Sequence, residues 1–157
     1  MTGLNRAGLL ELLWTACGIV PCLGLVLWLI DAEHGLALTS LGSTAILLFC
    51  FPTHEGSRPL AVLAAHLLGA AIGIALLQVF GSNVWTMGAG VALIAIVMKL
   101  LNIMHPPAGA NPLIVLNLQS SWLFLAYPLL PALLIMLVAV LVWSRLRPGP
   151  RWPLRWI

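Results

Sequence analysis

The sequence predicts an all-α membrane protein, a polytopic bundle of six membrane segments of which four are long and two are short or broken. Of its 157 residues, 62% are hydrophobic and only 7% are charged, and the mean hydropathy is +1.10. A water-soluble domain carries about a quarter charged residues, so most of this surface must face lipid. Apolar runs of about 20 residues recur, which is the length that crosses a hydrocarbon core of about 30 Å. The runs lack the alternation of a membrane β-barrel.

The first three segments lie at residues 9–30, 36–51 and 57–80. Pro21 predicts a kink in the first, which we interpret as an uncleaved helix rather than a signal peptide, because further spans follow it and no clean small-residue cleavage site is present. Ser57 is a suitable N-cap for the third segment, directly before an arginine and a proline in its first turn. Polar loops separate the three segments.

Segments four and six lie at residues 84–104 and 122–146, and between them comes a segment interrupted by three prolines. The stretch at 105–112 reads HPPAGANP and cannot form a continuous helix, because each proline lacks a donor and restricts the residue before it. We expect the HPPAGAN part to be extended, with Asn111 as the N-cap of a short helix over 112–119. That helix would be about 12 Å long.

The few charged residues indicate the topology. With six crossings and the amino terminus inside, Asp31 and Glu33 lie outside, while Arg58, Lys99 and the arginine-rich tail lie inside, as the positive-inside rule requires. Re-entrant second and fifth segments would instead leave Arg58 outside. The charges favour six crossings, although whether the two short segments cross fully stays open.

The chain divides into a transmembrane domain at 1–146 and a basic tail at 147–157, whose tryptophans suit the headgroup layer. We expect an integral protein of a bacterial inner (plasma) membrane with both termini cytoplasmic. The partners expected are the lipid bilayer and a second copy of the chain. A bundle this small leaves little room for a transport pathway inside one subunit, so a homodimer is expected. The basic residues lack the pattern of a nucleic-acid interface, so no such partner is predicted.

A weak internal symmetry accompanies this plan, because each half places a short, glycine-bearing element between two longer segments. The residues at 42–48 resemble those at 109–115. A 3+3 inverted repeat would account for the match, and transporters built in this way bind substrate where broken helices meet. The match is too short to establish duplication.

Two histidines are candidate functional residues. His66 lies three turns into segment three, and His105 borders the broken stretch. Ionisable groups at membrane depth often mark an ion or substrate pathway, and both imidazoles could bind an anion or respond to pH. The structural alternatives are a neutral imidazole bonded between helices for His66 and an interfacial cap for His105.

Other polar residues could take part in anion binding. The helix that restarts at Pro112 would direct free N–H groups toward the break, and Ser43 and Thr44 offer hydroxyl donors, unless they bond their own helix. Lys99 and Asn102 are three residues apart on the predicted fourth helix, where Lys99 either attracts anions or extends toward the interface.

Several function classes find little support. The four acids lie at segment ends and the histidines have no nucleophile partner in sequence, so no catalytic residues are assigned and an enzyme is not expected. Cysteines are best read as packing residues, and the histidines lack nearby carboxylates or thiolates, so no metal site or cofactor is predicted. Small residues recur every four positions at 61–73, which indicates a close helix–helix seam.

The residues at 105–110, HPPAGA, resemble the signature of the HPP family of integral membrane proteins. The residues at 42–49 and the group of Pro59 with residues 66–68 are similar to two further elements of that family. The sequence departs from the family pattern where Leu60 replaces an arginine, Ala64-Ala65 stand for a glycine pair, and Asn111-Pro112 follow the signature.

The resemblance implies permeation of a small inorganic anion, because plant plastid members of the family are associated with nitrite transport. We expect a transporter or channel; the alternatives are a non-transporting module that binds a ligand or partner subunit through the broken segment, or a membrane enzyme or metal protein. The candidate substrate-binding residues are His66, His105, Pro106, Gly109, Ala110, Asn111, Ser43, Thr44, Lys99 and Asn102.

Overall fold

A computed structural model describes residues 5–30, 38–146 and 151–156, and within these ranges the chain is helical without β-strands. The α-helices are α1 Arg6–Ile30, α2 Ser40–Cys50, α3 Pro59–Phe80, α4 Val84–Leu100, α5 Asn111–Asn117 and α6 Leu130–Trp143. Short 3-10 helices form at Glu55–Ser57 and Pro106–Ala110, and a π-helical turn forms at Leu125–Leu129. The predicted all-helical class is confirmed.

Within the described ranges, three stretches are long and apolar enough to cross a membrane, namely Gly8–Ile30, Pro59–Phe80 and Leu125–Trp143. The apolar helix α4 has 17 residues and is about 25 Å long, whereas α2 has 11 residues and α5 only seven. Four long and two short elements are therefore present, as predicted. Helix α3 packs on α4 and α5, while α1 packs on α6 and α2. The inverted repeat stays a prediction.

The broken segment differs from its predicted form. The prediction that HPPAGAN is extended is wrong, because Pro106–Ala110 is a 3-10 helix that continues directly into α5. Prolines fit the first turn of a helix, where N–H groups have no partner in any case. Asn111 is itself helical, with φ −61° and ψ −42°, so its predicted role as an N-cap is also wrong. Together the two helices are about 20 Å long.

The other boundaries shift by a few residues. Helix α2 begins at Ser40, and the predicted polar loop with its acidic residues lies outside the described ranges. In segment six, Tyr127 leaves the helical region with φ −154° and ψ 127°, so α6 proper begins at Leu130. Asn83 caps α4 through bonds to the N–H groups of the first turn.

The contacts between α1 and segment six distinguish the two ends of the bundle. On one face, the Tyr127 hydroxyl donates to the Ile30 carbonyl at 2.7 Å. On the other, the rings of Trp14 and Trp143 are 4.4 Å apart between centroids, so α1 begins where α6 ends. The second face also holds the Arg58 guanidinium, which donates to the Asn102 carbonyl at 2.7 Å. We call this end of the bundle the basic face; its basic residues include Arg58, Lys99 and Arg145.

The tail folds back onto the basic face, and the prediction that Trp152 lies in the headgroup layer is wrong. Trp152 is only 3% exposed and donates its indole N–H to the Ser57 carbonyl at 2.8 Å, whereas Trp156 is 63% exposed. The Trp152 carbonyl in turn accepts bonds from Ser144 and Arg145. A buried indole N–H needs an acceptor, and the Ser57 carbonyl provides one.

The predicted small-residue seam lies within a single chain. A Cβ atom on Gly69 would lie 2.9 Å from the Ala108 carbonyl oxygen, and one on Gly73 would lie 2.8 Å from the Cα atom of Pro112. Glycine at these positions of α3 therefore allows the 3-10 helix and α5 to approach closely. Farther toward the start of α3, Ala61 and Ala65 pack in a core with residues of α4.

Candidate functional site

Four buried polar side chains from four parts of the chain meet in the interior of the bundle. Thr44 lies in the first turns of α2, His66 lies in α3, His105 precedes the 3-10 helix, and Asn111 begins α5. Each is at most 1% exposed. Burying polar groups is costly unless they are bonded, so their mutual contacts decide what they can do. We call these four residues the polar cluster.

Thr44 is the centre of the cluster. Its Oγ1 atom lies 2.9 Å from His66 Nε2, 3.1 Å from His105 Nε2 and 3.0 Å from the Ser40 carbonyl oxygen. A hydroxyl has one hydrogen to donate and two lone pairs that accept. The contact with Ser40 is a bond to its own helix, which was the structural alternative for this hydroxyl. The same oxygen also contacts both histidines, so the hydroxyl bonds its own helix and belongs to the cluster as well.

Asn111 fixes the state of His66. The Asn111 Nδ2 atom lies 2.8 Å from the His66 carbonyl oxygen and 3.0 Å from His66 Nδ1. A carbonyl can only accept, so the amide nitrogen must face it, and that nitrogen can only donate to Nδ1. His66 Nδ1 is therefore an acceptor without hydrogen, and neutral His66 carries its hydrogen on Nε2, facing Thr44.

His105 has the opposite arrangement of hydrogens. Its Nδ1 atom lies 2.7 Å from the Gly56 carbonyl oxygen, so Nδ1 carries a hydrogen and donates it. In the neutral form, Nε2 is then an acceptor facing the Thr44 hydroxyl. The backbone N–H of His105 contacts the Met98 sulfur at 3.5 Å. The two imidazole rings are 5.1 Å apart between centroids.

A polar cavity of about 270 Å³ lies on the basic face near the cluster. Its lining residues are Pro52, Thr53, His54, Glu55, Ser57, Arg58, Trp152, Leu154 and Arg155. We call it the basic vestibule. His54 Nδ1 accepts the Gly56 N–H at 2.9 Å, and the same glycine's carbonyl accepts from His105. One residue of backbone therefore separates the vestibule from the cluster.

The structure brings together four of the predicted site residues: Thr44, His66, His105 and Asn111. Pro106, Gly109 and Ala110 form the 3-10 helix between His105 and Asn111. The role of all these residues in substrate binding stays a prediction.

Three further candidates lie away from the cluster. Ser43 is exposed and bonds its own helix at the Ser40 carbonyl, as the structural alternative held. Helix α4 ends at Leu100, and Asn102 has a positive φ of 54°, so the prediction that Lys99 and Asn102 share a helix face is wrong. Both are exposed on the basic face.

Sequence reasoning missed one residue beside the cluster. Gly56 supplies the carbonyl for His105, and a Cβ atom there would lie 2.9 Å from the Met104 carbonyl oxygen. A glycine directly after a polar turn was the available signal. The Ser40 hydroxyl is buried without a hydrogen-bond partner one turn before Thr44.

Within the described ranges, no third histidine, cysteine or carboxylate joins the two histidines in a group that could bind a metal ion. The described acids, Glu11 and Glu55, are both exposed. The cluster is thus made of two imidazoles, a hydroxyl and an amide.

Comparison with known proteins covers nearly the whole chain. A family model of the HPP transmembrane region matches residues 4–153, which include the six α-helices that the structure describes. A curated transmembrane protein from Dictyostelium discoideum is 28% identical over 135 residues, which are 81% of this chain and 47% of that protein. The chain spans about half the length of that relative. No solved structure matches the chain.

Proposed function

Because the chain belongs to the HPP family and is an integral membrane protein, we propose that it transports a small inorganic anion, with nitrite as the first substrate to test. The observation that supports this most is the polar cluster, buried where α2, α3 and α5 meet. Polar and ionisable groups at membrane depth are costly and commonly belong to ion or substrate pathways. In this proposal the cluster is the binding site in a closed state.

The chemistry of the cluster favours an anion. His66 Nε2, the Thr44 hydroxyl and the Asn111 amide are donors, and they become available to a ligand once the bonds among them open. The basic vestibule adds Arg58 and Arg155, which attract anions to the adjacent face. The choice of nitrite rests on the family resemblance.

The setting of the protein is part of the proposal. The positive-inside rule assigns the basic face to the cytoplasm of a bacterial inner membrane, with both termini on that side. A homodimer is the expected assembly. The chain carries out no catalytic reaction in this proposal and needs no cofactor.

A non-transporting membrane module is the second candidate. Every member of the cluster is buried and bonded to another member, which favours this candidate because no member is free to bind a ligand in this state. Such a network could instead hold the short helices in place, while the protein binds a ligand or a partner subunit elsewhere.

Flux into proteoliposomes separates the two candidates. We expect the wild type to admit nitrite above the rate of empty liposomes, and His105→Gln and Thr44→Val to reduce that flux at least tenfold, the effect of about 1.4 kcal/mol. Asn117→Ala, on an exposed residue at the end of α5, is the matched control and should retain flux. If the wild type admits no nitrite, nitrate, chloride or formate, transport is excluded in favour of the module.

A further inference from the structure

The basic vestibule lies between two parts of the chain that carry positive charge. One wall is the loop between α2 and α3, which contributes His54 and Arg58, and the other is the tail, which contributes Arg155. The Trp152 indole, bonded to the Ser57 carbonyl at 2.8 Å, holds the two walls together. The cavity is therefore a fixed part of the fold, and its side chains decide what it can bind.

Arg58 is held in place with part of its guanidinium unused. Its Nε atom donates to the Glu55 carbonyl at 2.9 Å, and its Nη2 atom donates to the Asn102 carbonyl at 2.7 Å. A guanidinium carries five N–H groups, so three remain after these two bonds. Because the group is already fixed, it loses little freedom when it binds an anion, and its planar fork suits a phosphate.

His54 and Arg155 add further donors to the same cavity. His54 Nδ1 accepts the Gly56 N–H at 2.9 Å, so the neutral ring carries its hydrogen on Nε2, which can only donate. Arg155 is exposed and has no hydrogen bond or ion pair within the described ranges. Glu55 is the one carboxylate among the described lining residues, so the two arginines leave the cavity with a net positive charge.

The position and size of the vestibule favour a lipid headgroup over a small free ion. Helix α3 has 22 residues and is about 33 Å long, so it spans a hydrocarbon core of about 30 Å, and Arg58 directly before it lies at headgroup level. Apolar side chains are exposed at the same end of the bundle, namely Phe51, Leu60 and Leu154. The cavity of about 270 Å³ has the volume of about nine water molecules, more than a three-atom anion fills.

We propose that the basic vestibule is a binding site for the headgroup of an anionic phospholipid. The phosphate lies between Arg58 and Arg155 and accepts the hydrogen of His54 Nε2, while the acyl chains lie along the exposed apolar side chains beside the cavity. Basic pockets at the cytoplasmic ends of membrane helices bind lipids of this class. The proposal holds for either candidate function, because it concerns a lipid of the surrounding membrane and not a transported substrate.

Native mass spectrometry of the delipidated protein in detergent measures the binding. The probes are phosphatidylglycerol, phosphatidylethanolamine with the same acyl chains, and glycerol phosphate, which has no chains. We expect a single phosphatidylglycerol to bind at least about fivefold more tightly than phosphatidylethanolamine, whose headgroup has no net charge, and glycerol phosphate to bind more weakly than either lipid. Equal affinity for the two lipids would overturn the proposal. Glycerol phosphate that binds as tightly as phosphatidylglycerol would assign the cavity to a soluble phosphate and would also overturn it.

Substitutions at the cavity separate a defined site from general attraction to a basic surface. Arg155→Gln should lower the affinity for phosphatidylglycerol about fivefold, whereas Glu55→Gln removes the carboxylate from the cavity and should raise it severalfold. Arg151→Gln is the matched control, because it removes the same charge from an exposed position on the tail outside the cavity, and it should bind as the wild type. Equal losses in Arg151→Gln and Arg155→Gln would mean that the lipid is attracted to the basic face without a site and would refute the proposal.

Discussion

The imidazole rings of His66 and His105 lie 5.1 Å apart between centroids, and the Thr44 hydroxyl oxygen is within 3.1 Å of the Nε2 atom of each. The two rings belong to α3 and to the segment after α4, and the hydroxyl belongs to α2. One atom thus connects three parts of the bundle that are distant in sequence. Changes at this atom should be detected in the stability of the bundle as well as in its function.

Replacing Thr44 with valine should destabilise the protein. The side chain keeps its shape but loses the hydroxyl, so the Nε2 atoms of both histidines lose a partner. Each buried polar group without a partner costs about 1–3 kcal/mol, so we expect the free energy of unfolding to fall by about 2 kcal/mol or more. Reversible unfolding in mixed detergent micelles, followed by tryptophan fluorescence, measures the change.

Thr44→Ser and Thr15→Val are the matched controls. Serine restores the hydroxyl and should recover most of the loss, and Thr15 lies on α1, which contributes no residue to the cluster. If Thr44→Val unfolds like the wild type, the hydroxyl does not connect the helices as the distances indicate.

Asn111→Ala should also destabilise the protein and should remove the difference between the two histidines. The amide donates to the His66 carbonyl and to His66 Nδ1, so its loss frees Nδ1 to carry a hydrogen. We expect the free energy of unfolding to fall by about 1–3 kcal/mol. We also expect ¹⁵N NMR to show a mixture of the two neutral tautomers of His66, with the hydrogen on Nδ1 or on Nε2. Asn117→Ala, exposed on the same helix, should change neither quantity, and a His66 spectrum unchanged by Asn111→Ala would contradict the assigned orientation of the amide.

Gly69→Ala tests the close approach of α3 to the 3-10 helix. The added methyl group would lie 2.9 Å from the Ala108 carbonyl oxygen, which is backbone and cannot turn aside. Such overpacking typically costs about 1–3 kcal/mol, measured in the same unfolding assay. Gly88→Ala on α4 is the control, because a Cβ atom there meets nothing within 4 Å and should stabilise the helix by about 0.5–1 kcal/mol. Equal effects of the two changes would argue against the seam.

Trp152→Ala should release the tail from the basic face. The substitution removes a buried indole and its bond to the Ser57 carbonyl, and truncating a buried tryptophan costs about 3–5 kcal/mol. We expect trypsin to cleave after Arg151 much faster than in the wild type, as measured by mass spectrometry of the released peptide. Trp156→Ala, at an exposed position, should leave the rate unchanged; rapid cleavage in the wild type would show that the tail is not held.

Cysteine labelling tests the proposed orientation. In a background without Cys17, Cys22 and Cys50, single cysteines replace Thr53 on the basic face, Ser82 between α3 and α4, and Ser121 between α5 and α6. In intact cells, an impermeant maleimide should modify Ser82→Cys and Ser121→Cys, but Thr53→Cys only after permeabilisation. The reverse pattern would invert the topology. If Ser121→Cys and Thr53→Cys react under the same condition, the two residues lie on the same side of the membrane and the fifth segment does not cross.

Hydropathy and proline positions predicted the helical class, the number of membrane segments and which of them are short, because each depends on local sequence. His66, His105, Thr44 and Asn111 were all recognised individually as candidates. Their meeting was not predictable, since it depends on the register between α2, α3 and the broken segment. The sequence also could not show that the prolines begin a 3-10 helix, because proline's fixed φ suits both that helix and an extended chain.

The behaviour of Trp152 was missed for a related reason. Tryptophan near the end of a membrane segment is typical of the interface, and only the free carbonyl of the Glu55–Ser57 turn gave it a different partner. Lys99 and Asn102 were assigned to one helix face because apolar periodicity continued past Leu100, where the helix in fact ends.

Two successive carbonyls in the loop before α3 hold different parts of the protein: that of Gly56 binds the His105 ring, and that of Ser57 binds the Trp152 indole. A shift of the backbone at these two residues would disturb both bonds at once. The tail is therefore a natural reporter of events in the interior, and the fluorescence of Trp152 should change whenever His105 changes its partner. A spectroscopic signal at the surface could then follow a step that takes place beyond the reach of solvent.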